Sequence, residues 1–203
     1  MRPETGNKTP EFTKRVSIQL SLGGHSFSAP ALTGDFPDNA PVEVELLTPR
    51  TMLVPAELFD QTRAEALLSA NGMPAEADEC VVCSDPDAEI IALMAMNGEA
   101  LRQVNEKLGL RAQFTTPLLH EPNTDAPTVW IRRTAELIYI KVYDGTLRLA
   151  EVIPAADDTD ILYFFERLSS EFSLADYTLC IAGDNPKTLR KLLGNRFNRT
   201  ICE

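Results

Sequence analysis

The chain has 203 residues, of which 44% are hydrophobic and 24% are charged, and its formal net charge is −11. These values are typical of a globular chain that is long enough to bury a sizeable core. No apolar stretch approaches the roughly 20 residues that a membrane-spanning helix needs, so we expect no membrane segment. The acidic balance disfavours nucleic-acid binding, because such binding rests largely on lysine and arginine at the phosphates.

The N-terminal segment MRPETGNKTPEFTK, residues 1–14, is polar. It lacks the apolar region of a secretory signal peptide, so we expect a cytoplasmic protein. The same polarity predicts that residues 1–14 form a disordered tail ahead of the first strand.

The first half of the chain opens on a strand pattern, since apolar and polar residues alternate strictly over 16–22. The stretch SLGGHSF, residues 21–27, then predicts a turn into a second strand, with a phosphate-binding loop as the alternative. A third strand is predicted at 42–47, and we expect these three strands to be antiparallel. Further along, the patterns predict helices at 55–70 and 97–108 and strands at 79–84 and 89–95.

Two of the four cysteines, Cys80 and Cys83, have the spacing of a redox pair or of half a zinc site. They stand in ECVVCSD, an apolar and β-branched run that is typical of a strand. Residues i and i+3 of a strand face opposite ways, so one metal ion could not easily hold both thiols. The sequence has no second Cys-x-x-Cys pair and only two histidines. We therefore predict buried strand cysteines and no metal site.

The second half predicts the order β-β-β-α-β-α-β. Strands are predicted at 129–133, 137–143 and 146–153, and the Asp-Gly pair between the last two is a strong hairpin signal. An acidic start and apolar residues at helical spacing predict a helix that begins near Asp157. A buried strand at 177–183, a short helix opened by Asn185-Pro186 and a last strand complete the order.

Five basic residues cluster in the last helix and strand: Lys187, Arg190, Lys191, Arg196 and Arg199. We interpret them as a solvated helix face whose cations favour the C-terminal end of the helix. Binding of nucleic acid through this cluster is the competing interpretation.

Three antiparallel strands followed by alternating helices and strands is the order of the ribonuclease H-like fold. Two such units in tandem resemble the actin-like ATPase superfamily. The stretches IQLSLGGHSFSA, LVPAELFD and DDTDILYFF are similar to an uncharacterised bacterial family within it, known only as a domain of unknown function. The resemblance covers residues 14–201. It implies an α/β fold with two tandem lobes, 15–122 and 123–203, each a mixed sheet that begins with three antiparallel strands and is flanked by helices.

The resemblance also implies where a nucleotide would bind. Active members of the superfamily clamp ATP between two glycine-containing hairpins, because backbone without a Cβ can approach phosphate closely. A carboxylate beside the hairpin holds Mg²⁺ and orients the attacking water. The residues at the matching positions are our candidates for the cleft: Ser21, Gly23, Gly24, Arg132, Thr134, Gly183 and Asp184.

Each of these elements departs from the pattern of the active members. The first hairpin keeps Gly23 but has Ser21 in place of the acid, and the second has neither glycine nor a well-placed acid. The adenosine turn keeps Gly183 but follows it with Asp184, whose charge would face an anionic ligand. We therefore predict a non-catalytic protein without a cofactor, which binds or scaffolds a protein partner. The alternative is a nucleotide-binding protein or slow ATPase.

Overall fold

The structure is a computed structural model that describes residues 14–20, 27–28, 40–122, 126–155 and 157–203, with backbone alone for the first two ranges. The predicted tail therefore lies outside the described residues, apart from Lys14, which begins β1. The strands are β1 (Lys14–Leu20), β2 (Phe27–Ser28), β3 (Val42–Leu47), β4 (Thr51–Pro55), β5 (Glu79–Cys83), β6 (Ile90–Asn97), β7 (Ala112–Thr115), β8 (Thr128–Arg133), β9 (Leu137–Asp144), β10 (Thr146–Pro154), β11 (Thr178–Gly183) and β12 (Arg199–Cys202). The α-helices are α1 (Ala64–Ala70), α2 (Gly98–Leu108), α3 (Asp158–Glu171) and α4 (Pro186–Leu193).

The second half of the chain forms a five-stranded mixed sheet in the order β10-β9-β8-β11-β12. Strands β8, β9 and β10 are antiparallel neighbours, while β11 runs parallel to β8 and β12 runs parallel to β11. The predicted order β-β-β-α-β-α-β is confirmed for this half. Helices α3 and α4 cover one face of the sheet. Core residues on that face include Val129, Ile131, Ile140, Ile161, Phe165 and Leu189.

Local sequence signals explain why these elements begin and end where they do. The β9–β10 hairpin turns at Gly145, whose φ of +69° suits a residue without a Cβ. Helix α3 begins with a capping box, in which the Asp157 carboxylate accepts from the Thr159 and Asp160 backbone N–H groups. Helix α4 begins at Pro186, which has no N–H to leave unpaired.

The first half contains a sheet in the order β2-β1-β3-β7. Our prediction of three antiparallel opening strands was wrong here, because β3 pairs parallel to β1 along its whole length. Strand β3 also pairs parallel to β7, and all six of its residues are buried. Strand β2 runs antiparallel to β1 and so reverses the direction of the chain, and a second reversal before β3 makes β3 parallel to β1. The sequence pattern identified the strand but not its direction.

A second, three-stranded antiparallel sheet of the first half has the order β4-β6-β5. The predicted strands β5 and β6 and the predicted helix α2 are confirmed, whereas β4 and β7 were missed. The helix predicted over 55–70 is wrong in its first part, because Pro55 ends β4 and two 3₁₀ turns precede α1. None of the helices in the described ranges is long and apolar enough to cross a bilayer.

The uncovered face of the five-stranded sheet packs against the first half of the chain. Residues of a strand alternate between faces, so Trp130 and Arg132 point away from the helices that cover Val129 and Ile131. This second core includes Leu47, Leu118, Trp130, Leu137, Tyr139 and Cys180. The Tyr139 hydroxyl donates to the carbonyl oxygen of Thr48 at 3.5 Å. The two halves are therefore joined by a buried apolar interface.

Candidate functional site

A cavity of about 280 Å³ lies between the two halves and is lined by Arg132 and by residues of β3 and β7. The turn after β7 and the end of β5 complete its wall. The polar residues on the wall include Glu43, Glu45, Ser84, Thr116, His120 and Arg132. Since Arg132 is one of the predicted cleft residues, we take this cavity as the place to test the nucleotide interpretation.

The Arg132 side chain is held by Glu45 across the boundary between the halves. Arg132 Nη1 donates to Glu45 Oε1 at 2.6 Å and Nη2 donates to Oε2 at 2.9 Å. The Glu45 side chain is 3% exposed and the Arg132 side chain is 26% exposed. A carboxylate this deeply buried needs a positive partner, and paired hydrogen bonds to a guanidinium provide one of good geometry. The positive charge of Arg132 is therefore used within the protein.

The second predicted hairpin, between β8 and β9, is also held by hydrogen bonds within the protein. Thr134 is buried, its backbone N–H donates to the Leu137 carbonyl at 2.9 Å, and its hydroxyl lies 3.3 Å from the same oxygen. The neighbouring Arg133 pairs with Asp158 at the start of α3, at 3.3 Å. The Thr134 donors and the Arg133 guanidinium are thus directed to groups of the protein.

Gly183 lies where the end of β11 packs against the end of β8. It has a φ of +83°, and a Cβ built there would lie 2.2 Å from the Arg133 carbonyl oxygen. The next backbone N–H, that of Asp184, donates to this oxygen at 2.9 Å. Glycine is therefore required at position 183 by a close contact between two strands. This packing explains the glycine without a nucleotide.

The structure brings four of the seven predicted cleft residues to one sheet edge. Arg132 pairs with Ala182 and Arg133 pairs with Gly183 in the β8–β11 ladder, so Thr134 and Asp184 follow side by side. The other three candidates, Ser21, Gly23 and Gly24, lie outside the described residues.

Sequence reasoning missed several polar residues that the fold buries between the halves, and three of them matter for the cavities. These are Glu45, Thr116 and Lys141. The Thr116 hydroxyl is buried on the wall of the cavity, and the described residues offer it no hydrogen-bond partner. A signal was available for the other two, because each is a charged residue inside an apolar strand, VEVELL and LIYIKVY. A charge in such a run is rarely buried unless something compensates it.

The Cys-x-x-Cys pair lies on β5, as predicted. Both thiols are free and half-buried, so they are less buried than we expected. The Cys80 thiol donates to the Met96 carbonyl, whereas Cys83 packs against the apolar cluster under α1. Burial raises the pKa of both thiols, which disfavours the reactive thiolate. In the described part of the chain, no three His, Cys, Asp or Glu side chains converge as a metal site would require.

The residues of the C-terminal basic cluster lie in different environments. Arg190 and Lys191 lie in the last turn of α4, where cations suit the helix dipole. Arg196 pairs with Glu166 of α3 at 2.9 Å. These positions agree with the solvated-face interpretation.

Comparison with known proteins bears on the fold. No protein-family model matches the chain, and no curated protein gives a match. Among solved structures, a Bacteroides thetaiotaomicron protein with actin-like ATPase fold and unknown function matches with a TM-score of 0.70. The match covers 93% of this chain and 90% of that chain, at 15% sequence identity. This chain has the actin-like ATPase fold.

The α/β, actin-like part of our prediction is thereby confirmed. The cytoplasmic domain of EpsL, an inner membrane component of the type II secretion system of Vibrio cholerae, also matches, with a TM-score of 0.43. That match has 10% identity and covers 83% of this chain and 82% of that chain, which is too distant to carry an argument. A fold hosts many functions, so the function must be argued from the site.

Proposed function

We propose that the protein is a non-catalytic representative of the actin-like fold that binds a protein partner and takes no nucleotide. The observation that carries this proposal is the pairing of Arg132 with Glu45. A triphosphate needs free cations and N–H donors at the strand ends, and the candidate groups in the described part of this sheet edge already have partners. Arg133 is paired with Asp158, and the N–H of Asp184 is bonded to backbone.

The charge at this sheet edge supports the same proposal. Asp158, Asp184 and the hairpin residue Glu136 lie near the ends of β8 and β11, where phosphates would have to approach. Asp158 and Asp184 are exposed, and a carboxylate repels a triphosphate unless a metal ion intervenes. The edge therefore favours ligands other than nucleotides.

We further propose that the chain forms two tandem ribonuclease H-like lobes. The five-stranded sheet has the strand order that we described for the ribonuclease H-like fold. Three antiparallel strands come first, and two parallel strands follow. The four-stranded sheet starts from a comparable β1–β2 pair followed by parallel β3 and β7. The three-stranded sheet is inserted between β3 and β7 in the chain. In this proposal the first lobe has a four-stranded sheet in place of a five-stranded one, and it carries the three-stranded sheet as an addition.

A groove between two strand edges supports the partner-binding role. Strand β10 is the last strand of one sheet and β4 is the last strand of another, and both line a cavity of about 520 Å³. Its apolar wall includes Met52, Leu53, Met73, Leu147, Leu149 and Val152. An edge strand offers backbone N–H and C=O groups that an extended peptide of another protein can pair with. We propose such a peptide as the occupant.

Thermal unfolding with and without Mg²⁺-ATP tests the nucleotide part of the proposal. A ligand that binds only the folded state must raise the melting temperature. We expect no shift at millimolar Mg²⁺-ATP. A rise of several degrees that is lost without the metal would overturn the proposal in favour of a nucleotide-binding protein.

A pair of variants tests the groove. Leu147→Lys places a charge on the groove, whereas Leu110→Lys places the same charge at a fully exposed leucine in the turn after α2. We expect a partner captured by the wild type to be lost from the first variant and retained by the second. Circular dichroism establishes that both variants are folded. Equal capture by both variants would contradict the assignment of the groove.

A further inference from the structure

A second cavity between the halves has mostly apolar walls. Its volume is about 300 Å³, which is at the lower end of the range of small-molecule sites. The walls include Leu53, Ala88, Ile90, Leu118, Leu119 and Lys141. Ile90, at the start of β6, is 37% exposed, which is unusual for a large apolar side chain that begins a central strand. An apolar ligand in this cavity would therefore cover the exposed part of the Ile90 side chain.

The one amine on the wall is that of Lys141, in the middle of β9. The residue is 3% exposed, and its Nζ donates to the His120 carbonyl oxygen at 2.8 Å and lies 5.0 Å from the centre of the Tyr143 ring. Among the described residues it forms no ion pair with a carboxylate. A buried ammonium whose close partners are neutral is costly, and the Glu121 carboxylate acts on it only from beyond ion-pair distance, so Lys141 is a candidate for a functional amine.

We propose that this cavity binds a small aliphatic aldehyde, which Lys141 holds as a reversible imine. The neutral amine adds to the carbonyl carbon, and the resulting carbinolamine loses its hydroxyl as water. A C=N bond thus replaces the C=O bond, and no oxidation or reduction takes place. The imine nitrogen, once protonated, carries one hydrogen that can be donated to the His120 carbonyl, as the amine does now.

The electrostatics of the cavity favour a neutral carbonyl ligand over a carboxylate. Burial lowers the pKa of Lys141 to about 8, so a useful fraction of the amine is neutral near pH 7. Glu89 and Glu121 line the mouth and would repel an anion. The other titratable neighbours are His120 and Tyr143, and burial raises the pKa of the Tyr143 phenol to about 12, so it stays protonated.

Reductive trapping tests this inference. The folded protein is incubated with hexanal and cyanoborohydride at pH 7, and alkylation is located by mass spectrometry of peptides. Lys107, exposed on α2, is the internal reference. The neutral fraction of an amine of pKa about 8 is roughly 250 times that of an ordinary lysine at this pH. We therefore expect alkylation of Lys141 to exceed that of Lys107 by at least about tenfold, given the restricted access.

A variant that fills the cavity separates the effect of the cavity from that of the amine. Ala88→Phe fills the cavity without touching the amine chemistry, and we expect it to abolish alkylation of Lys141 while that of Lys107 is unchanged. Alkylation of Lys141 at or below the level of Lys107 in the wild type would overturn the inference. So would alkylation that persists unchanged in the folded Ala88→Phe variant.

Discussion

Glu45 on β3 and Arg132 on β8 lie 87 residues apart in the chain and form a two-point ion pair across the boundary between the halves. The carboxylate is almost completely buried, while part of the guanidinium reaches the cavity beside it. The pair therefore joins the two halves and at the same time uses the positive charge of Arg132 within the protein.

We expect Arg132→Met to destabilise the protein by about 3 kcal/mol, because it removes the two charge-assisted hydrogen bonds that Arg132 donates to the buried Glu45 carboxylate. Urea unfolding measures the change. The double variant Glu45→Gln with Arg132→Met should recover part of the loss, since neither member of the pair is then charged. Arg102→Met is the matched control, because the partners of Arg102 among the described residues are the exposed Glu99 and Glu106 on α2. Similar effects of the two single substitutions would show that the Glu45 pair has no special role.

Gly183→Ala should destabilise the fold more than a glycine substitution at another positive φ. A Cβ at 183 meets the Arg133 carbonyl at 2.2 Å, so backbone strain and a clash act together. We expect a loss of at least about 2 kcal/mol. At Gly145 the φ is +69° but nothing lies within 4 Å of the added Cβ, so Gly145→Ala should cost about 1 kcal/mol. Equal losses in thermal or urea unfolding would contradict this interpretation.

The stability of the wild type relative to Lys141→Met should rise between about pH 8 and pH 10.5. The pKa of Lys141 is lowered from 10.5 to about 8 in the folded protein. The unfolded chain therefore binds more protons than the folded chain in this window, and stability increases with pH. The variant lacks this contribution but keeps all other titrating groups, so the difference between the two urea-unfolding curves isolates it. A difference independent of pH would show that Lys141 is not desolvated.

Native thiol labelling should show one fast cysteine. Cys202 is exposed, whereas burial raises the pKa of the Cys80 and Cys83 thiols and raises that of Cys180 to about 11. Since the thiolate is the reactive form, we expect one rapid and three slow reactions with an aromatic disulfide reagent. Cys202→Ser should abolish the rapid phase. A fast phase that survives this substitution would point to the Cys80–Cys83 pair as a reactive dithiol.

The second half of the fold was predictable because its signals are local. The Asp-Gly hairpin, the acidic cap of α3 and Asn185-Pro186 each act within a few residues, and together they fix the order of the elements. The first half was less predictable because strand direction depends on partners distant in sequence. Strand β3 alternates as an antiparallel strand would, yet it lies between two parallel neighbours.

Of the candidate site, too, one part could be predicted from local signals and another part could not. The edge that holds Arg132, Thr134, Gly183 and Asp184 followed from the order of the strands. The partner of Arg132 did not, because nothing in the residues around 132 identifies Glu45. The reason for Gly183 was also beyond the sequence, since it depends on the position of the Arg133 carbonyl in a neighbouring strand.

The turn after β7 leads toward the second half of the chain, and its residues belong to the buried core. Thr116, Pro117 and Leu118 are buried there, and the carbonyl of His120 is held by Lys141. Residues 116–120 are therefore held in place by the protein core rather than forming a flexible linker. A protease should leave residues 116–118 of the native protein intact, and a gene divided at this point should yield two insoluble fragments, each with an uncovered apolar surface.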